Sequence, residues 1–322
     1  MPKFPFQKLK LLYLCRILAD ETDENHGLTM PEIIERLASH DISAERKSVY
    51  EDMESLRTFG MDIAFENKKG YFLTNRDFEI PELKLLVDAV QSAKFITAKK
   101  SADLIKKIET LASRHGAGLL HRQVFIADRV KTDNKYVYYN VDAIHDAINT
   151  NKKITFKYFD FNISKERVYR NDGQLYSVSP LSLTVDGENY YLVAHSDKRD
   201  KLAHFRVDKM SGISVTDDFR TSIDGFNIAS YTKKMFGMFS GEDEQVEVIF
   251  DNSLTGVVID RFGMDVKLIK SDENNFKAIL NITLSPVFLS WILQFGSRAK
   301  ITAPKKVADS MKSYIEDLLK MY

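Results

Sequence analysis

Cysteine occurs once, at Cys15, in a chain of 322 residues. One thiol excludes an intrachain disulfide and any cysteine-rich zinc module. Its place in an apolar helical stripe reads as core rather than nucleophile. Net charge is missing as well: 46 Lys+Arg balance 46 Asp+Glu. That excludes a polybasic coating protein, so any contact with nucleic acid depends on where charges are placed. No apolar run approaches the roughly 20 residues that span a bilayer. The N-terminal MPKFPFQKLK lacks the apolar core of a signal peptide. The expectation is a soluble, cytoplasmic protein with no membrane partner.

Catalytic signatures are absent too. There is no G-x-x-x-x-G-K-[ST], no G-x-G-x-x-G after a strand, no G-x-S-x-G and no H-E-x-x-H. His195 and His204 can approach across strands but lack a third ligand for a metal. No nucleophile and base converge. The chain is therefore expected not to be an enzyme: no catalytic residue, no metal and no cofactor. What it does have is 44% hydrophobic and 11% aromatic residues, enough for real cores. Its length points to two or three domains.

The first eighty residues read as three helices and a hairpin. Leu11, Leu14, Cys15 and Leu18 share one helical face. Thr29-Met30-Pro31-Glu32 is a capping box opening a second helix, striped by Met30, Ile33, Ile34 and Leu37. Ser43 caps a third, with Val49, Met53 and Leu56 as its buried stripe. Gly60 stops it, and two alternating runs follow, turned at Asn67-Lys68-Lys69-Gly70. That is the order of a winged helix-turn-helix, which leaves the far side of the third helix free for a major groove. At about 100° per residue, that side carries Lys47, Ser48 and Glu51, flanked by Arg46 and Tyr50. Lys47 and Ser48 suit base edges or phosphates, and Glu51 can accept from a cytosine amino group. Lys68 and Lys69 at the hairpin tip would meet phosphate. Candidate DNA contacts are thus Ser43, Arg46, Lys47, Ser48, Tyr50, Glu51, Lys68 and Lys69. The alternative is a protein-binding bundle with a solvated charged face.

A helix from Ile80 carries Leu83, Leu86, Val87 and Val90. A second, from Ser101, ends near Gly116-Ala117-Gly118 and offers either a dimer interface or a spacer. After a short helix at Val141–Ile148 the period changes to two. About five short strands separated by Asp172-Gly173 and Asp186-Gly187 have the size of a small closed barrel.

Here Pro180-Leu181, Tyr190-Tyr191-Leu192-Val193-Ala194-His195 and His204-Phe205-Arg206-Val207-Asp208-Lys209-Met210 resemble a WYL domain. The namesake Trp-Tyr-Leu stands as Tyr190-Tyr191-Leu192. Arg46-Lys47-Ser48-Val49-Tyr50-Glu51-Asp52, Gly60 and Lys69-Gly70-Tyr71-Phe72-Leu73 resemble the winged helix of YafY-type, DeoR-like bacterial regulators. Glu51 stands where many relatives carry arginine. The resemblance implies an α+β multidomain chain: a winged helix-turn-helix (1–78), a helical linker or dimerisation segment (79–140), an Sm-like small β-barrel (141–220) and an α+β C-terminal extension (221–322). The extension's own strand and helix order reads as ferredoxin-like.

Strand parity puts Tyr191, Val193 and His195 on one face, with His204, Arg206 and Asp208 on a face of the next strand. Tyr190, Leu192, Ala194, Phe205 and Val207 alternate with these and read as core. Arg206 offers a donor fork for phosphate, and Tyr191 and His195 offer stacking surface. Candidate effector contacts are Ser179, Tyr190, Tyr191, His195, His204, Arg206 and Lys209. The bland alternative is that Arg206 pairs with Asp208 or Glu188 to hold the barrel. By resemblance the face would take a nucleic-acid-like or other anionic effector, such as single-stranded nucleic acid or a nucleotide. The expected function is a homodimeric transcription regulator on a double-stranded operator. The alternative is an accessory nucleic-acid- or protein-binding module, for example in phage defence.

Overall fold

The computed structural model describes residues 7–120, 131–132, 134–221, 223 and 227–322. The chain divides into two units, Met1–Lys135 and Tyr136–Tyr322.

The first unit begins with α1 (Lys10–Glu21), α2 (Met30–Ala38) and α3 (Arg46–Phe59), followed by β1 (Ile63–Glu66) and β2 (Gly70–Leu73) paired antiparallel. The predicted stripes meet: Leu14, Leu18, Ile33, Leu37, Val49, Met53 and Leu56 are buried in one cluster. Pro31 and the Thr29–Glu32 capping box open α2. Gly60 ends α3 in a left-handed conformation. Leu28 bridges Tyr71, so backbone meets backbone at Gly70. A Cβ there would lie 2.3 Å from the Leu28 carbonyl oxygen, and its φ of +96° already favours glycine. Wholly buried Thr22 donates to the Leu18 carbonyl and accepts from the Leu73 N–H at 3.1 Å, tying β2 to the end of α1.

Three further helices follow: α4 (Ile80–Ser92), α5 (Ala98–Glu109) and α6 (Arg114–Leu120). They differ from the expected pair. Thr97 caps α5 by accepting from the Lys100 N–H, so that helix starts earlier than Ser101. Gly116 and Gly118 lie inside α6 rather than ending a helix. Close packing explains Gly116, where a Cβ would stand 2.7 Å from Ile80 Cδ1. Leu83, Val87, Ala112 and Leu120 form a small core among the three helices.

The second unit opens with α7 (Val137–Asn149), then β3 (Lys152–Phe161), β4 (Arg167–Tyr169), β5 (Tyr176–Asp186), β6 (Asn189–Ser196), β7 (Lys201–Arg206) and β8 (Met210–Phe219). The sheet runs β4-β3-β5-β6-β7, and β8 pairs β3. It is a curled sheet of six strands, not a closed barrel of five. Among the described residues β7 and β8 do not pair, because the 3-10 turn Val207–Lys209 turns the chain between them. Asn140 of α7 donates to the Val207 and Met210 carbonyls, so the helix closes one end.

Beyond α8 (Ile228–Lys233) come β9 (Asp243–Asp251), α9 (Thr255–Phe262), β10 (Lys267–Lys270), β11 (Asn275–Thr283), α10 (Pro286–Leu293), β12 (Ala299–Ala303) and α11 (Lys305–Leu319). The sheet order is β10-β11-β9-β12, all antiparallel. Its inward residues Val246, Val248 and Phe250 pack with Phe276, Ala278, Leu280, Phe288 and Ile292 in the largest core.

Candidate functional site

On α3 the stripe Val49, Met53 and Leu56 faces inward, so the helix turns Arg46, Lys47, Tyr50 and Glu51 to solvent, and Ser43 just before it is also exposed. Ser48 is different: it is half-buried and accepts a hydrogen bond from Lys10 of α1, which also pairs with Asp52 at 2.8 Å. Ser48, which the rotation angle alone placed on the free side, lies with Asp52 one turn on along the flank beside α1. Arg46 donates to the Tyr50 hydroxyl at 3.2 and 3.0 Å. Burial and the hydrogen bond it donates to Tyr50 push the Tyr71 phenol up to about 12, and Tyr50 moves down, chiefly through Tyr71 and then Arg46. Lys68 is exposed at the hairpin turn. Lys69 pairs with Glu66 at 2.8 Å, donates to the Glu24 carbonyl and lies 4.4 Å from the Phe72 ring centroid. Of the eight candidates, Ser43, Arg46, Lys47, Tyr50, Glu51 and Lys68 are exposed, Arg46 and Tyr50 being bonded to each other, whereas Ser48 and Lys69 are half-buried against their own unit. A cleft of about 530 Å³ beside them is lined by Arg46, Tyr50, Phe65 and Tyr71. Half-exposed Phe65 had only strand alternation as its signal.

In the second unit Tyr191 and Arg206 are direct cross-strand partners on β6 and β7, as are Val193 and His204, and His195 and Leu202. Partners share a face, so Tyr191, His195, His204 and Arg206 come together. Leu192, Ala194, Phe205 and Val207 of the alternate set are buried. Tyr190 belongs to that set and lies on the other face from Tyr191. Ser179 opposes His195 but is fully buried, accepting the Thr221 N–H at 2.9 Å. Lys209 lies in the 3-10 turn past β7.

Residues 139–215 match the family model of the WYL domain. The chain contains a WYL domain. No curated protein matches the chain. Among solved structures, the proteasome accessory factor B/C (PafBC) of Arthrobacter aurescens is similar at 16% identity over 97% of this chain and 48% of that one, with a TM-score of 0.30. The chain thus spans about half the length of that relative. A second crystal structure, described as a CRISPR Cas-related protein, is similar at 15% identity over 89% of this chain and 77% of that one, TM-score 0.38.

The mixed face of the WYL domain is not open along its length. Val193 is wholly buried and clusters with Met235 and Met238, with Tyr191, Leu202, Ile228 and Tyr231 packed around them. An apolar residue in the middle of that face needs cover, and α8 with the turn after it supplies it. His204 Nε2 is 2.9 Å from the Tyr231 hydroxyl, and its Nδ1 is 3.3 Å from Ser240 Oγ. Burial holds the His204 imidazole below its usual range, against a smaller upward pull from the Met238 backbone.

Arg206, Lys209 and His195 of the WYL domain each have an acid partner. Arg206 donates to both Asp208 carboxylate oxygens, at 3.1 and 2.8 Å, and to Asn189 Oδ1 at 3.0 Å. Asp208 accordingly raises the guanidinium pKa. Lys209 lies 2.6 Å from Asp160, which Arg170 also engages at 2.6 Å, and Lys209 draws the Asp160 carboxyl down. His195 stands between Asp197 and Asp200, at 3.2 and 3.1 Å. Burial raises the Tyr191 phenol. An anion entering here must displace a carboxylate. Among the described residues no group of three or more His, Cys, Asp or Glu side chains is set to hold a metal ion, and no helix is long and apolar enough to cross a membrane.

Proposed function

We propose that this chain is a DNA-binding transcription regulator, a binding protein rather than an enzyme, whose WYL domain senses an anionic, nucleic-acid-like effector. The observation that carries the reading is a WYL domain on a chain whose first unit turns Arg46, Lys47 and Tyr50 of one helix outward beside a basic hairpin turn. Three helices and a hairpin in that order fit a winged helix-turn-helix, with α3 in the major groove and Lys68 near phosphate. The chain works as a homodimer on a two-fold operator in the cytoplasm, since paired half-sites offset the modest charge of each copy. The effector acts through Tyr191, His195, His204 and Arg206. It regulates only by favouring one arrangement of the dimer's two winged helices over another.

The test is selection from random duplex DNA followed by fluorescence anisotropy on the enriched sequence. The double substitution Arg46→Ala, Lys47→Ala is expected to weaken binding at least tenfold, about 1.4 kcal/mol or more. No enrichment, or a variant that binds like the parent, overturns the reading.

A further inference from the structure

Tyr71 of β2 has no part in the contacts named so far, yet its phenol acts on α3. It is 9% exposed and lines the cleft beside Arg46, Tyr50 and Phe65. Its backbone exchanges two hydrogen bonds with Leu28, at 2.9 and 2.7 Å. Its ring centroid lies 4.7 Å from that of Phe65 and 6.1 Å, edge to face, from that of Tyr50. A buried ring on a strand residue bonded in this way is a rigid support.

The bonds at Tyr50 fix what its hydroxyl can do. Tyr71 donates its phenol hydrogen to the Tyr50 oxygen. Arg46 closes on the same oxygen from Nε and Nη2, at 3.2 and 3.0 Å. A hydroxyl oxygen accepts at two positions and carries one hydrogen. Both accepting positions are taken, so Tyr50 is left only to donate, and at 36% exposure it donates outward. Arg46 is exposed as well and keeps N–H donors beyond the two that Tyr50 receives. Among the described residues its neighbours are phenols, and no carboxylate pairs with it. The Arg46–Tyr50 pair therefore presents donors and no acceptor.

That pattern sorts the bases of a major groove. Guanine shows two acceptors side by side, N7 and O6, whereas adenine sets its N6 donor beside N7. A donor-only pair matches the first edge and leaves the adenine amino group unsatisfied. Phosphate is acceptor-only too. Arg46 and Tyr50, however, stand at the N-terminal end of α3, the end of a recognition helix that meets base edges.

We propose that Tyr71 is a positioning residue that holds Tyr50, beside Arg46, as a donor to a guanine edge, so that the operator carries a guanine that adenine cannot replace. The proposal rests on the regulator reading above and names the base that α3 reads.

The test uses the full chain and the duplex enriched by selection, with each guanine replaced in turn by adenine. The parent is expected to lose about tenfold or more in affinity at one guanine of a half-site. Tyr71→Phe keeps the ring and the backbone bonds and removes one hydroxyl. It is expected to shrink that guanine-over-adenine ratio about threefold or more, the worth of one hydrogen bond, while thermal unfolding stays cooperative. Tyr50→Phe should shrink the ratio at least as much. Adding Tyr71→Phe to Tyr50→Phe should change the ratio no further, because Tyr71 acts through that hydroxyl alone. Variants that keep the parent's ratio overturn the proposal. So do variants that weaken every sequence alike, since the contact is then a phosphate or the role only structural. A Tyr71→Phe loss that persists in full without the Tyr50 hydroxyl overturns it as well. A parent that enriches a duplex but tolerates adenine at every guanine overturns it and leaves the regulator reading standing. A parent that enriches no duplex overturns that reading, and this proposal with it.

Discussion

Arg206 makes three hydrogen bonds to two neighbours, Asp208 and Asn189, and a further backbone bond links its N–H to the Tyr158 hydroxyl at 3.2 Å. Its side chain is 35% and that of Asp208 18% exposed, so solvent weakens the pair without dissolving it. Removing the guanidinium leaves a half-buried carboxylate without its fork. Arg206→Ala is expected to cost about 1–2 kcal/mol of stability, read as a lower urea midpoint. Arg206→Lys should recover only part, since an ammonium cannot span both carboxylate oxygens. An unchanged midpoint would return Arg206 to a purely ligand-facing role. The pairing of Tyr191 with Arg206 was legible because strands alternate with period two. Of its partners, Asp208 was named from the sequence as the pair that would hold the barrel, and it forms; Asn189 was not legible, because it reaches Arg206 only through the register of β6 against β7. Ser48 failed for a related reason: a helical wheel gives direction but not the neighbour, and Lys10 lies 38 residues away.

Among the elements, the three helices and hairpin of the first unit and the helix and strand order after α8 were readable because their apolar stripes are long, with caps at α2 and α10; α3 begins at Glu45 without the side-chain cap expected from Ser43. The cover over the WYL face was not. Six-residue α8 has no stripe, and Met235, Phe236 and Met238 follow it without a period. The burial of Met235 and Met238 becomes visible only when Val193 and Leu202 are seen beneath them, and that of Phe236 only in the core of the last sheet. His204 gives this cover a pH dependence. Its imidazole is disfavoured in the charged form, chiefly by burial. A folded-state pKa below the unfolded value of about 6.5 means the unfolded chain binds the proton first as pH falls. Stability is therefore full above about pH 6.5 and declines as pH drops below it towards the folded-state value. His204→Gln removes the titrating group, so the difference in thermal midpoint between parent and variant should shrink from about pH 7.5 to 5.5. A constant difference over that range would mean that His204 is as free to charge in the folded chain as in the unfolded one.

At the scale of the molecule, zero formal charge means that attraction to a duplex comes from few groups, and the salt dependence can count them. Arg46, Lys47 and Lys68 are the exposed cations of the proposed reading face, whereas Lys69 is already paired with Glu66. Each phosphate neutralised on B-DNA contributes about −0.9 to the slope of log affinity against log salt, so three give about −2.7 for one copy and about −5.4 for two. The homodimer reading therefore predicts the steeper slope on a selected operator, measured from about 50 to 200 mM salt. Lys47→Ala should then remove about 1.8, one phosphate in each copy. A parent slope near the smaller value, with a loss of only about 0.9 on substitution, would mean that one copy binds alone. The count separates reading from loose attraction as well. Lys68→Ala at the hairpin turn should change the slope about as much as Lys47→Ala, because each cation neutralises one phosphate. Of these two, only the substitution on α3 should alter which sequence is preferred, because base edges are reached from the helix and not from the turn.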